Sequence, residues 1–174
     1  HKWIDISENG YGISVLNDCK YGCDIHNGEI GLTMLKSAVY PNLDADKEHH
    51  SFTWSIAPHE GGWREGNTVA KAYVLNNPYQ TAVKENEGGN LPVSYSFVQA
   101  DKENVVIEAV KKAEDSDAVI VRLYECYNRR GQTTLTFPRP VKRAVICNML
   151  EEKMEEVLCC EVNKVPVQLK PYEI

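Results

Sequence analysis

Residues 10–25, GYGISVLNDCKYGCDI, decide the fold class. Apolar residues alternate through 12–16, then Asn17-Asp18-Cys19-Lys20 breaks the run, and Tyr-Gly dipeptides stand at 11–12 and 21–22. A period of two with turn residues between the runs predicts strands joined by tight turns. Working outward, residues 2–6 alternate as well, with Trp3 on the face opposite Ile4 and Ile6, and Ser7-Glu8-Asn9-Gly10 makes the turn. Residues 23–25 and 30–35 flank Asn27-Gly28, a hairpin signal because both residues tolerate positive φ. Residues 38–50 are polar and contain Pro41, which predicts a long surface loop. Residues 52–56 alternate again up to Pro58, placing Phe52, Trp54 and Ile56 on one face, expected to be core.

The period changes at 65–76, where Val69, Ala72, Tyr73 and Asn76 recur at helical spacing ahead of Pro78. One short helix is expected there, and it needs a sheet to pack on. KENEGGNLP at 84–92 is charged, carries Gly88-Gly89 and ends in proline, so it reads as a linker. Beyond it, 94–98, 105–110, 118–126, 133–137, 141–147, 157–162 and 165–169 all read as strands. So many short strands in about eighty residues is a β-sandwich pattern. At 105–114 the alternation of Val105, Ile107 and Ala109 favours a strand followed by a turn over a helix.

Composition narrows the function classes. Hydrophobic residues make up 43% of the 174, charged residues 25%, and the mean hydropathy is −0.42. No apolar run is long enough for a membrane-spanning helix, and no signal segment opens the sequence. The net charge of −6 and the absence of a basic stripe argue against nucleic acid as a partner. The cluster Arg129-Arg130 with Arg139, Lys142 and Arg143 reads as a solvated turn and a blunted strand edge. The six cysteines, at 19, 23, 126, 147, 159 and 160, are scattered. Cys19 and Cys23 lack the second ligand pair of a zinc site, and the set reads as reduced structural thiols, which favours a cytoplasmic location.

Three long stretches resemble, in order, the C-terminal β-region of family 38 glycoside hydrolases, the retaining α-mannosidases. HKWIDISENGYGISVLNDCKYGCDI at 1–25 is similar to the family's Trp-x-Asp-x-Ser run with its Asn-Asp and Lys-Tyr-Gly. GEIGLTMLKSAVYPNLDADKEHHSFTWSIAPH at 28–59 resembles the hairpin, the Pro-Asp loop and the strand ending in Pro-His. VVIEAVKKAEDSDAVIVRLYE at 105–125 resembles the terminal sandwich. The bacterial and cytosolic branch fits best.

The resemblance implies a mainly all-β chain. Residues 1–83 would be the C-terminal portion of a large, mutarotase-like super-sandwich, 84–92 a linker, and 93–174 a small terminal β-sandwich. It implies a fragment without the catalytic domain, its partners the parent's catalytic and helical domains. The parent would hydrolyse α-mannosidic bonds with retention, acting on an α-mannoside glycan in mannose metabolism. Its Asp nucleophile, acid/base Asp and zinc, held by two His and two Asp, would lie in the catalytic domain. No catalytic or metal-binding residue and no cofactor is expected in this chain, which alone would be inactive. The alternative is an independent carbohydrate-binding or protein-interaction β-sandwich.

Site candidates are few. In some relatives a basic residue at the end of the matching strand reaches toward the sugar, and Lys36 stands there, a point charge where arginine would give a planar fork. Trp63, in the Gly61-Gly62 break, is the tryptophan to consider for stacking on a sugar ring. Asp18 reads as a turn cap. Asp44-Ala45-Asp46 lacks the glycine and distal glutamate of a calcium loop. His49 and His50 are adjacent and point apart, so they do not ligate a metal together. His59 is expected to pack at a domain junction.

Overall fold

The computed structural model describes residues 1–83, 88–90, 92–157 and 161–174. The described residues are mainly β, with one short helix, and the chain forms two compact units, His1–Glu85 and Asn86–Ile174. The expected linker at 84–92 lies largely outside the described residues.

In the first unit, β1 (Trp3–Glu8), β2 (Tyr11–Asn17) and β5 (Trp54–Glu60) form an antiparallel sheet in the order β1-β2-β5. Strands β3 (Cys23–His26) and β4 (Glu29–Leu32) form a separate hairpin. Asn27 and Gly28 turn it at φ of 49° and 81°, the positive values that a two-residue hairpin demands. Pro58 does not end its strand. β5 runs on to Glu60, with Pro58 opposite Ile13, because an edge strand tolerates a missing N–H.

Helix α1 (Thr68–Asn76) begins three residues later than its periodicity suggests. Trp63 and Arg64 carbonyls accept from the Thr68 and Asn67 N–H groups in a turn that precedes it, and Asn67 sits at φ 52°. The helix buries Thr68, Val69 and Ala72, and Asn76 Nδ2 donates to the Asn17 carbonyl of β2 at 3.0 Å.

The faces of the β1-β2-β5 sheet are sorted against the sequence expectation. His59 is buried and Ser55 and Ala57 are half-buried on one side of β5, whereas Trp54 and Ile56, expected as core, are 49% and 56% exposed. Tyr11 on β2 is 48% exposed. By strand alternation the open side also carries Ile4, Ile6, Ile13 and Val15. The covered side carries the buried Leu16 and, beside it, a polar network. Asp5 Oδ2 accepts from Ser14 Oγ at 2.6 Å and from His59 Nε2 at 2.7 Å, and Ser7 donates to Oδ1. Ser14 uses its one proton on Asp5, so Thr68 of α1 donates to Ser14 Oγ, 2.6 Å away.

Two glycines make room for the imidazole. A Cβ on Gly12 would collide with His59 Cε1, and one on Gly66 would lie 2.5 Å from His59 Cγ. His59 is therefore enclosed within the first unit, and its described partners all belong to that unit.

The second unit contains β6 (Gln99–Ala100), β7 (Val105–Lys112), β8 (Val119–Glu125), β9 (Gly131–Thr136), β10 (Ala144–Cys147), β11 (Lys153–Val157) and β12 (Lys164–Leu169). They pair antiparallel as β7-β8, β10-β11 and β12-β9-β6. The strand expected at 94–98 is not formed. Val93, Tyr95 and Phe97 are exposed, and only Gln99–Ala100 pairs with β9. Of the strand expected at 157–162, Val157 closes β11 and Glu161 bridges Lys164, while Leu158, Cys159 and Cys160 lie outside the described residues. Tyr127, Leu135, Val165 and Leu169 are buried, with Cys126 packed as the small apolar residue its setting suggests.

Glu125 ends β8 with a side chain sealed from solvent, 1% exposed. Its carboxylate accepts from Asn104 Nδ2 at 2.9 Å, Tyr127 N at 2.7 Å and Tyr172 N at 3.0 Å, tying the strand to the C-terminal segment.

Burial raises the Asp5 pKa, but hydrogen bonds from Ser14, Ser7 and His59 outweigh it and hold the carboxyl below its usual value. Burial likewise raises Glu125, and the Tyr172, Asn104 and Tyr127 donors bring it lower. A folded-state pKa below the unfolded one gives stability that is present above the unfolded value and lost as pH falls through the folded one. The reference values are 3.8 and 4.5. All three tryptophans lie in the first unit, so their fluorescence reports on Asp5. The urea midpoint read that way should hold from about pH 7 to 5 and fall below about pH 4. Asp5→Asn should start lower and lose most of that acid slope; an unchanged slope would place the acid sensitivity elsewhere. Gly66→Ala should lower stability by about 1–3 kcal/mol, the cost of overpacking, measured by the same unfolding curve.

Candidate functional site

The segment between β4 and β5 carries Lys36, and one carboxylate organises it. Asp46 Oδ2 accepts from the backbone N–H of Ser37 at 2.9 Å and of Lys36 at 3.2 Å. Ser37 and Asp46 both have positive φ, 51° and 60°. His50 Nε2 donates to the Asp46 carbonyl at 3.0 Å, Asp44 N bonds Asn42 Oδ1, and Lys47 Nζ pairs with Asp44. The N–H groups of Ser37 and Lys36 lower the Asp46 pKa, a little burial opposes them, and the charges of His50 and Lys20 add to the lowering. Lys36 itself is exposed, and its ammonium makes no ion pair among the described residues.

Trp63 is half-buried. Its ring meets that of Trp3 with centroids 5.1 Å apart, and the Arg64 guanidinium lies over it at 4.1 Å. Asp18 does more than cap a turn: it accepts from Thr53 N at 2.9 Å and returns its own N–H to the Thr53 carbonyl, joining the ends of β2 and β5.

Asp5, His59 and Ser14 are the residue types of a hydrolytic triad, but they are wired differently. A nucleophilic serine hands its proton to histidine. Ser14 hands its proton to Asp5, and its side chain is fully buried. The three form a structural network.

Among the described residues, no three His, Cys, Asp or Glu side chains converge to hold a metal ion. His50 is committed to the Asp46 carbonyl. Among the described residues, Cys19, Cys23 and Cys147 are free thiols. In the second unit a shallow cavity of about 360 Å³ is lined by Asp101, Gln132, Thr134, Thr136, Glu161, Lys164 and Pro166. It is polar, Lys164 there is paired with Glu161, and it has no aromatic platform for a sugar ring.

The role of Asp46 was not legible in the sequence. Its acidic neighbour suggested a fragment of a calcium loop, whereas its partners are backbone groups ten and nine residues away. Glu125 was missed for the same reason, since a buried carboxylate that serves backbone donors carries no motif.

Comparison with known proteins agrees with the resemblance. The profile "Glycosyl hydrolases family 38 C-terminal domain" matches residues 1–44, and "Glycosyl hydrolases family 38 C-terminal beta sandwich domain" matches 104–174. Alpha-mannosidase G of Dictyostelium discoideum is 35% identical over the whole chain, which covers 16% of that protein. Alpha-mannosidase 2C1 of Homo sapiens and the alpha-mannosidase of Saccharomyces cerevisiae are each 30% identical over the whole chain, which covers 17% and 18% of them. The chain thus spans about a sixth of the length of these relatives. A crystal structure of an alpha-mannosidase from Enterococcus faecalis superimposes on 99% of the chain with a TM-score of 0.75 at 17% identity, using 20% of that protein and showing a shared fold. No described helix is long and apolar enough to cross a membrane. Whole-chain similarity to α-mannosidases, with two profiles of one family in sequence along it, establishes that the chain belongs to glycosyl hydrolase family 38 and corresponds to its C-terminal β-region.

Proposed function

We propose that this chain is the non-catalytic C-terminal β-module of a retaining α-mannosidase, and that its β1-β2-β5 sheet packs against the rest of that longer protein. The observation that carries the reading is the open face of the sheet. Tyr11, Trp54 and Ile56 are exposed together beside half-buried isoleucines and a valine, while the opposite face is covered. A contiguous apolar face bared to water marks an interface. The relatives supply the partner chemistry, since they are about six times longer and are named α-mannosidases.

In this reading the catalytic carboxylates and the zinc belong to the remainder of the polypeptide. This chain supports the mannose-metabolising machinery and lends it Lys36, whose exposed ammonium would donate hydrogen bonds to a sugar hydroxyl at the rim of the cleft. The free thiols fit a reducing, cytoplasmic setting.

The isolated chain, given an aryl α-mannoside with zinc present, should release no aryl alcohol, and steady turnover would overturn the assignment. Trp54→Ser and Ile56→Ser should each cost the isolated chain less than about 0.5 kcal/mol, as exposed substitutions do. In the longer polypeptide each should cost about 1.5–3 kcal/mol, the worth of a buried apolar side chain. Equal, small effects in both settings, read by thermal or urea unfolding, would show that nothing covers the face.

A further inference from the structure

We propose that Asp46 is a positioning residue for the Lys36 ammonium: its carboxylate clamps the backbone at 36 and 37 and so fixes the direction in which the Lys36 side chain leaves the hairpin. The inference rests on the reading of Lys36 as a sugar-contacting residue and extends it to a residue that touches no sugar.

The geometry is specific. One oxygen, Oδ2, receives two consecutive backbone N–H groups. Consecutive amides converge on a single anion only when the backbone between them departs from strand geometry, as in anion-binding nests. The torsions between these two amides are those of Lys36, so Asp46 holds both peptide planes that flank the Lys36 Cα, and Ser37, the next residue, is left-handed with φ at 51°. A left-handed residue that is not glycine is disfavoured by roughly 1–2 kcal/mol, so this conformation persists only where something holds it. Two charge-assisted hydrogen bonds to Asp46 are sufficient to hold it. Asp46 is itself left-handed, at φ 60°, and its carbonyl is fastened by His50. The clamp is therefore anchored from its own side as well.

The Lys36 ammonium rides on four flexible methylenes, and the clamp sets the region it searches by fixing where the Cα–Cβ bond starts. Removing the clamp would free both peptide planes that flank the Lys36 Cα and let that bond turn. A carboxylate that merely closed a surface loop would have no bearing on what the Lys36 ammonium does.

The test is a double-mutant cycle in the α-mannosidase polypeptide that contains this chain, with an aryl α-mannoside as probe. Lys36→Ala should raise KM by about tenfold or more, the worth of a hydrogen bond from a charged group. Asp46→Ala should raise KM to a similar extent with Lys36 still present. Asp46→Asn, which keeps one carbonyl oxygen as acceptor, should recover part of the loss. The double variant should be no worse than Lys36→Ala alone, because the two act as a unit.

If Lys36→Ala leaves KM unchanged, the reading of Lys36 fails. If Lys36→Ala acts but Asp46→Ala is silent, or the two effects add, the positioning role fails while the reading of Lys36 stands. An independent readout uses this chain alone. The amide proton shifts of Lys36 and Ser37 should follow one acidic titration that is absent in Asp46→Asn, whose unfolding temperature serves as the folding control. Flat amide profiles in the unsubstituted chain would overturn the clamp itself.

Discussion

The carboxylate of Asp5 is the constraint on which the first unit depends. It gathers donors from three strands, Ser7 on β1, Ser14 on β2 and His59 on β5, and Ser14 passes the network on to Thr68 of the helix. A buried carboxylate must keep its donors, since an unpartnered buried charge costs several kcal/mol. That requirement fixes which side of the sheet lies beneath α1. Strand alternation has a period of two, so once Asp5, Ser14 and His59 face inward, Ile4, Ile6, Ile13, Val15 and Ile56 must face outward. The glycines at 12 and 66 belong to the same constraint, because the His59 ring fits only where neither has a side chain.

This accounts for what was and was not legible in the sequence. The strands at 2–6 and 12–16 and the Asn27-Gly28 hairpin were readable from alternation and turn chemistry, both local properties. Alternation says that two faces differ but not which one is covered. The usual assumption that the apolar face is core placed Trp54 inside, and the Asp5 network reverses it. The segment 94–98 alternates as cleanly as β2, yet it pairs with nothing over most of its length, because pairing requires a partner in register and alternation alone does not supply one. Pro58 was read as a stop because nothing local reveals that its strand lies at an edge. For the candidate site, Lys36 was suggested by family likeness alone, while its clamp at Asp46 was out of reach because both hydrogen bonds go to backbone.

Carboxylates recur as clamps on the main chain. Asp18 holds Thr53, Asp46 holds residues 36 and 37, Asp101 holds Thr134, and Glu125 holds Tyr127 and Tyr172. Each satisfies backbone donors that short strands and irregular connections leave without ladder partners. The excess of acidic over basic residues is thus partly structural. Few apolar side chains are fully buried in the first unit, namely Leu16, Val69 and Ala72, so polar clamps do much of the ordering that a larger core would otherwise do.

Strand β5 links that ordering to function. Its inward residue His59 completes the Asp5 network, and its outward residues Trp54 and Ile56 form the open apolar face. The segment that presents Lys36 runs directly into this strand, and Asp18 fastens the junction at Thr53. A body seated on the outer face presses on the strand whose inner face holds the network, and the network's loss would release the strand that body needs. Docking and internal order therefore act on one element from its two sides. In the proposed role that coupling is what the chain would need, because a residue lent to a neighbouring cleft would be useful only while the support beneath it kept its shape.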